Sequence, residues 1–249
     1  MINFRNLILK SPNFSIKKKF DISAHHGRRL VIPDIHGCYD TLVALIKQID
    51  LQKTDHLFFM GDYINRGENS HKVLDYIIDL MEQGYHIYPL RGNHEDMLLN
   101  KHVLGIKPME PDVPHLYKYE GLIDHSNKIL PKYLPFISNL PFCFELDKYI
   151  LVHAGINFSV KRPLEDYESM LWKKEFFPVH SRATKIIITG HKPRVLSEIQ
   201  EDILYKRRVL RLDNGAVYTK RVGMGNLLCF DLTNDKLYIQ ANVEENKFD

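Results

Sequence analysis

Short apolar runs alternate with amphipathic stretches through the first hundred residues. RRLVIP at 28–33 is β-branched and closes on a proline, which predicts a strand ending at the Asp34 loop. From Tyr39 to Ile49, Leu42, Leu45, Ile46 and Ile49 share one helical face. HLFFM at 56–60 predicts a second buried strand. SHKVLDYIIDLMEQG follows as a helix, with Ser70 as its N-cap and Gly84 as its stop. YHIYPL at 85–90 and HEDMLLNKHVL after it give a third strand and helix. Three such units in about 75 residues predict βαβ construction on a parallel sheet.

The rhythm fails from Gly105 to Pro141, where prolines at 108, 111, 114, 131, 135 and 141 suggest an insertion, either covering a site or simply packing. Strands return at YILVHAG (149–155) and KIIITG (185–190). The tail, 208–241, alternates like antiparallel strands in VLRLDNGAVY, NLLCFDL and KLYIQA, with a turn at Thr233-Asn234-Asp235. No repeat or linker divides the chain, so 1–249 reads as one α/β domain.

Composition narrows the picture. The 249 residues are 44% hydrophobic and 26% charged, as in ordinary globular proteins. A net charge of +3 gives no reason to expect nucleic acid or membrane as partner, and Lys17-Lys18-Lys19 and Lys206-Arg207-Arg208 read as solvated surface. Three scattered cysteines, Cys38, Cys143 and Cys229, suit a reducing cytoplasm. LIL at 7–9 is too short for a signal peptide, and nothing reaches membrane-spanning length.

The chemistry lies where strands stop. Asp34 and His36 follow the first strand, Asp62 the second, and Asn93 and His94 the third, while His153 and His191 close two later ones. In open α/β sheets ligands bind beyond the carboxyl ends of strands, so five ends delivering Asp, His or Asn define one constellation. The other histidines of the chain, such as His56, His71 and His102, have no such setting.

PDIHG (33–37), GDYINRG (61–67), RGNHE (91–95), HAG (153–155) and GH (190–191) resemble, in order and spacing, the motif series of the phosphoprotein phosphatase family. The resemblance covers roughly residues 29–192 and is greatest to the bacterial branch of protein phosphatases and symmetrical diadenosine tetraphosphate hydrolases. It implies a calcineurin-like fold, with two mixed β-sheets packed as a sandwich, flanked by helices, and a pair of divalent ions at one edge. Hard oxygen and imidazole donors suit Mn²⁺, Fe or Zn²⁺. By motif position, Asp34 and His36 would hold one ion, Asp62 would bridge both, and Asn93, His153 and His191 would complete the second. The family mechanism is direct attack on phosphorus by a hydroxide that the ions share. Arg66 would grip phosphate oxygens, and His94 would protonate the leaving group.

Three departures qualify the match. Asn65 stands where the family has an aspartate that keeps the acid histidine charged. An amide can accept a hydrogen bond from imidazole but supplies no charge, so a less protonated His94, a lower pH optimum and slow release of poor leaving groups are expected. Lys174 stands near a second phosphate-binding arginine of the bacterial relatives and lacks its bidentate fork. Pro33 replaces the first motif glycine and stiffens the turn. The leading expectation is hydrolysis of phosphate monoesters on phosphoproteins, at Ser/Thr or Tyr. A dinucleoside polyphosphate hydrolase is the rival, and a non-catalytic phosphate-binding regulator is a reading of another class.

Overall fold

Two five-stranded sheets lie face to face in the computed structural model, which describes residues 17–19, 27–104, 119, 121–177 and 184–245. The strands are β1 (Lys17–Lys19), β2 (Arg29–Ile32), β3 (His56–Phe59), β4 (His86–Pro89), β5 (Cys143–Glu145), β6 (Tyr149–Val152), β7 (Ile186–Thr189), β8 (Val209–Arg211), β9 (Asn226–Asp231) and β10 (Lys236–Ala241). The α-helices among the described residues are α1 (Tyr39–Gln48), α2 (Ser70–Glu82), α3 (Asn93–Leu104), α4 (Leu134–Ser138), α5 (Tyr167–Trp172) and α6 (Leu196–Leu204).

One sheet runs β10-β9-β2-β3-β4, the other β1-β5-β6-β7-β8. β2, β3 and β4 are parallel, as their βαβ spacing requires, and β9 closes on β2 antiparallel. Period-two alternation builds the layers. Val31 and Phe58 point inward to meet Phe144, Leu151 and Ile188 of the opposite sheet, whereas Leu30, Ile32, Leu57 and Phe59 point outward to α1 and α2. On the far side Ile150, Val152 and Ile187 pack against Met170 and Leu171 of α5. The result is the mixed-sheet sandwich flanked by helices that the motifs imply.

Two local expectations are corrected. Ser70 is not the cap of α2: Asn69 holds that position, and the Ser70 hydroxyl accepts from the Asn65 N–H at 2.9 Å instead. β8 is not part of an antiparallel tail, because it pairs parallel with β7 in the second sheet. β9 and β10 do form the expected hairpin.

The basic run Lys17–Lys19 forms β1, parallel to β5. Of the 105–141 stretch, 105–118 and 120 lie outside the described residues, as do His25, His26 and His180. The described remainder packs into the core, with Leu122, Ile129, Tyr133, Ile137 and Leu140 buried in the cluster that covers α1 and α2. Cys38, Cys143 and Cys229 are buried free thiols. No helix among the described residues is long and apolar enough to cross a membrane.

Candidate metal centre and cleft

The carboxyl ends of β2, β3, β4, β6 and β7 meet at one edge of the sandwich. The loops after β2 and β3 are joined by backbone hydrogen bonds, from Ile35 and His36 N–H to the Asp62 carbonyl and from Gly37 N–H to that of Tyr63. Glu95 joins the loop after β4 to them: its carboxylate accepts from Asp62, Tyr63 and Gly92 N–H at 2.9 to 3.0 Å. The approach is close enough that a Cβ on Gly92 would lie 2.2 Å from Asp62 Oδ1. Burial raises the Glu95 carboxyl to about 7 against these hydrogen bonds.

Five of the nine non-glycine residues with positive φ among the described residues sit here: His36, Asp62, Asn65, Arg66 and His191. Left-handed backbone concentrated at one edge is the signature of a functional site.

All six expected metal-ligating residues converge. His36, Asp62 and His94 form one group of donors and Asp62, His153 and His191 another, each within 4.8 Å, so Asp62 is common to both. Asn93 Oδ1 lies 2.9 Å from His153 Nε2 and 3.0 Å from His191 Nδ1. Asp34 accepts the His191 N–H at 2.9 Å and stands 3.8 Å from His36 Nε2.

Imidazole partners set His36 and His153 apart from His94. His36 Nδ1 donates to the Ile64 carbonyl at 3.0 Å and His153 Nδ1 to that of Met60 at 2.9 Å, which leaves both Nε2 lone pairs aimed into the site. His94 differs. Its Nδ1 faces the Asn65 amide at 2.9 Å. With Nδ2 donating to Nδ1, the proton stays on Nε2, 3.8 Å from Asp62 Oδ2. Asn65 Oδ1, buried without a partner, can replace Nδ2 by rotation of the amide and then accept from an imidazolium. His94 is thus held as a donor, although it stands among the donor atoms.

Buried charge marks the edge as built for cations. Burial first, and then the neighbouring carboxylates (Asp213 and Asp62 for Asp34, Glu95 and Asp213 for Asp62), raise Asp34 and Asp62 well above the usual carboxylate range, and burial raises Asp213 to about 6. Burial lowers His36, His94 and His153 well below the usual imidazole value and brings His191 to about 4. His191 Nε2 and Asp213 Oδ2 are buried without hydrogen-bond partners. Such a donor set fits divalent ions with hard oxygen and imidazole preference.

Arg66 leans in from the rim, its Nη1 2.5 Å from His36 Nε2. Beside it opens a cleft of about 330 Å³ bordered by Asn93, His94, Trp172, Lys174 and His191 and also by Lys192, Tyr218 and Arg221. Lys174 is thus on the same cleft as Arg66.

Four contributors lack any role in the sequence reading: Glu95, Asp213, Tyr218 and Arg221. Glu95 lies inside the RGNHE motif. Asp213 follows β8 as Asp34 follows β2, so the strand-end rule would have found it had β8 been read as parallel.

A family model for calcineurin-like phosphoesterases matches residues 27–217. Among curated proteins, the symmetrical bis(5'-nucleosyl)-tetraphosphatase of Glaesserella parasuis is 30% identical over 51% of this chain and 44% of its own length. That of Actinobacillus pleuropneumoniae is 33% identical over the same shares, so the chain spans less than half the length of these relatives. Among solved structures, a serine/threonine phosphatase from Saccharomyces cerevisiae aligns with 97% of this chain and 87% of its own, at TM-score 0.58 and 15% identity. That likeness is one of fold.

Proposed function

The chain belongs to the calcineurin-like phosphoesterase family, and on that premise we propose that it is a two-metal phosphohydrolase that prefers phosphoanhydrides of the dinucleoside polyphosphate type. One observation carries the reaction class: two donor groups share Asp62, and carbonyl partners turn the Nε2 atoms of His36 and His153 toward it. Asp34, His36 and Asp62 would hold one divalent ion, Mn²⁺ the leading candidate. Asp62, Asn93, His153 and His191 would hold the other. Bound there, the ions would supply Lewis acidity at phosphorus and a water nucleophile of low pKa.

The rest is work for side chains. Arg66 binds non-bridging phosphoryl oxygens through its planar fork and neutralises charge as the trigonal phosphorus develops. His94 in its imidazolium form, with Asn65 Oδ1 turned to accept from Nδ1–H, passes the Nε2 proton to the departing oxygen and is left as neutral imidazole; its backbone N–H bond to Asp62 Oδ1 at 3.0 Å steadies it. Glu95 fixes the Asp62 and Gly92 backbones, so the nucleophile and acid sides of the site keep one spacing.

Substrate preference follows from the acid. With an amide as partner and burial opposing its charge, little of His94 is in the protonated form that can act as an acid, which favours leaving groups that depart as stable anions. Phosphoanhydrides do so, and serine alkoxide does not. The names of the curated relatives support the same class. Phosphoprotein hydrolysis is the second reading. Phe177 and Val222, 82% and 93% exposed on segments that adjoin the cleft, favour it as apolar footing for a polypeptide.

The test is hydrolysis by metal-stripped protein after Mn²⁺ is restored, with Asp62→Asn as the blank. Diadenosine tetraphosphate, an aryl phosphate, a phosphoserine peptide and a phosphotyrosine peptide run side by side. Fastest turnover of the dinucleotide supports the proposal, and fastest turnover of a phosphopeptide replaces it with the second reading. Equal inactivity of wild type and blank on all four substrates rejects both.

A further inference from the structure

We propose that the turn at 218–225 is a second phosphate subsite, in which Arg221, braced on Tyr218, binds the phosphoryl group next to the one attacked. The proposal rests on the phosphohydrolase reading above and adds to it the element that measures chain length.

Four observations support it. First, one ring joins the two arginines: the Arg221 guanidinium lies 3.8 Å from the Tyr218 centroid and that of Arg66 5.8 Å from the same point. Cation–π contact with both leaves the ring engaged as a brace for guanidinium groups. A phosphate held by Arg66 thus has Arg221 as its neighbour along the cleft.

Second, the turn is rigid. Asn214 donates through Nδ2 to the carbonyls of Arg194 and Gly223, at 2.8 Å each, and accepts from Asn226 at 2.7 Å. The Gly223 carbonyl also accepts the Leu196 N–H at 2.8 Å, which ties the turn to the start of α6. Gly215 has φ +62°, and a Cβ there would meet Tyr218 Cδ2 at 2.7 Å, so the ring is seated directly on backbone. A cation on such a support is preorganised, and less binding energy goes into ordering it.

Third, the charge is uncommitted. Nearby Arg194 is paired with Glu198 and Asp202, and Lys192 with Glu175. Among the described residues neither Arg221 nor Lys174 has a carboxylate partner, and both border the cleft. Fourth, Arg66 and Arg221 line one and the same cleft, so the planar fork of Arg221 is open to two oxygens of a phosphoryl group lying in it.

The experiment compares KM values for diadenosine tetraphosphate and 4-nitrophenyl phosphate, at constant free Mn²⁺, in wild type, Arg221→Ala, Arg221→Lys and Tyr218→Leu. Arg221→Ala is expected to raise KM for the tetraphosphate about tenfold more than for the monophosphate, the scale of one charge-assisted hydrogen-bonded contact. Arg221→Lys should recover part of the difference, and Tyr218→Leu should reproduce part of the loss. Equal changes on both substrates, or no change on either, overturn the subsite while leaving the phosphohydrolase reading intact. If the wild type hydrolyses neither substrate, that reading fails. Calorimetric binding of inorganic tripolyphosphate and inorganic phosphate then decides the subsite: equal loss of both in Arg221→Ala, or loss of neither, rejects it, and selective loss of tripolyphosphate sustains it.

Discussion

Replacing Asn65 by aspartate changes one atom type at the point that, on the proposed mechanism, sets the strength of His94 as an acid. The residue is fully buried, its φ of +71° suits aspartate as well as asparagine, and its amide is 2.9 Å from His94 Nδ1. A carboxylate at that distance accepts only from Nδ1–H and so favours the imidazolium, by about 1–3 pKa units. Where His94 titrates below the assay pH, each unit multiplies the protonated fraction by about ten. A substrate whose leaving oxygen must be protonated should therefore gain about tenfold or more in kcat, and one that leaves as a stable anion should gain little. The assay is a series of aryl and alkyl phosphates, with log kcat/KM plotted against leaving-group pKa for wild type and Asn65→Asp. The wild-type slope should be steep and the variant's flatter. The pH profile carries a second sign: activity that needs the acid form is lost as pH rises through the His94 pKa, so the alkaline limb should move to higher pH in the variant. Identical slopes, with all substrates scaled alike, would refute the assignment of His94 as the leaving-group acid.

Three further outcomes follow from the geometry. Gly92→Ala places a Cβ 2.2 Å from Asp62 Oδ1 and 2.3 Å from its amide nitrogen, so Mn²⁺ affinity by calorimetry should fall at least about tenfold, the scale seen when a group that orients a metal ligand is displaced, with secondary structure by circular dichroism retained. Metal removal leaves the buried carboxylates of Asp34, Asp62 and Asp213 facing one another. Mn²⁺ at about 100 times its Kd should raise stability by about 2.7 kcal/mol and Tm by about 5–10 °C, whereas Asp62→Asn should show little of this shift. Away from the site, Asp55 accepts from Arg28 Nε at 3.1 Å, Arg28 Nη2 at 2.5 Å and Gln52 N–H at 2.8 Å, and its carboxyl is lowered by these contacts against the cost of burial. Its contribution is complete above the unfolded carboxylate value and lost as pH falls through the lower folded one. Urea melts should show Asp55→Asn less stable by about 1–3 kcal/mol at pH 7, with the gap closing in acid below pH about 4.

The donors were legible because each lies within four residues of the carboxyl end of a four-residue strand, with a glycine or proline one or two positions away. Local sequence fixes the strand, the strand fixes its carboxyl end, and parallel order brings those ends together. β8 escaped because VLRLD alternates like a half-exposed antiparallel strand. Its partner β7 is about twenty residues away, and pairing at that range is settled by the two-sheet core rather than by local pattern. Asp213 went unseen with it. Ser70 was misplaced for the converse reason, since its hydroxyl accepts from the Asn65 backbone N–H across the loop rather than capping its own helix. Tyr218 and Arg221 carry no motif, and only the turn that Asn214 holds brings them to the cleft.

The reading that the chain only binds phosphate, disabled by Asn65 and Lys174, has to meet the backbone of the site. His36, Asp62, Asn65, Arg66 and His191 all have φ between 49° and 71°. Side chains in this region cost on the order of 1–3 kcal/mol each, and surroundings must over-determine them to hold them there. Here those surroundings are Glu95, the paired loop carbonyls and the His191 N–H bond to Asp34. A phosphate-binding surface needs none of this, since Arg66, Lys174 and Arg221 would suffice on relaxed backbone. The strained loops aim Asp62 at two donor groups and set His94 opposite an amide that can satisfy its neutral ring and, after rotation, its charged one. A carboxylate at 65 would serve the charged form alone. On the proposed mechanism Asn65 therefore retains an acid that gives up its proton easily and is recharged with difficulty, which suits a leaving group that asks for little help.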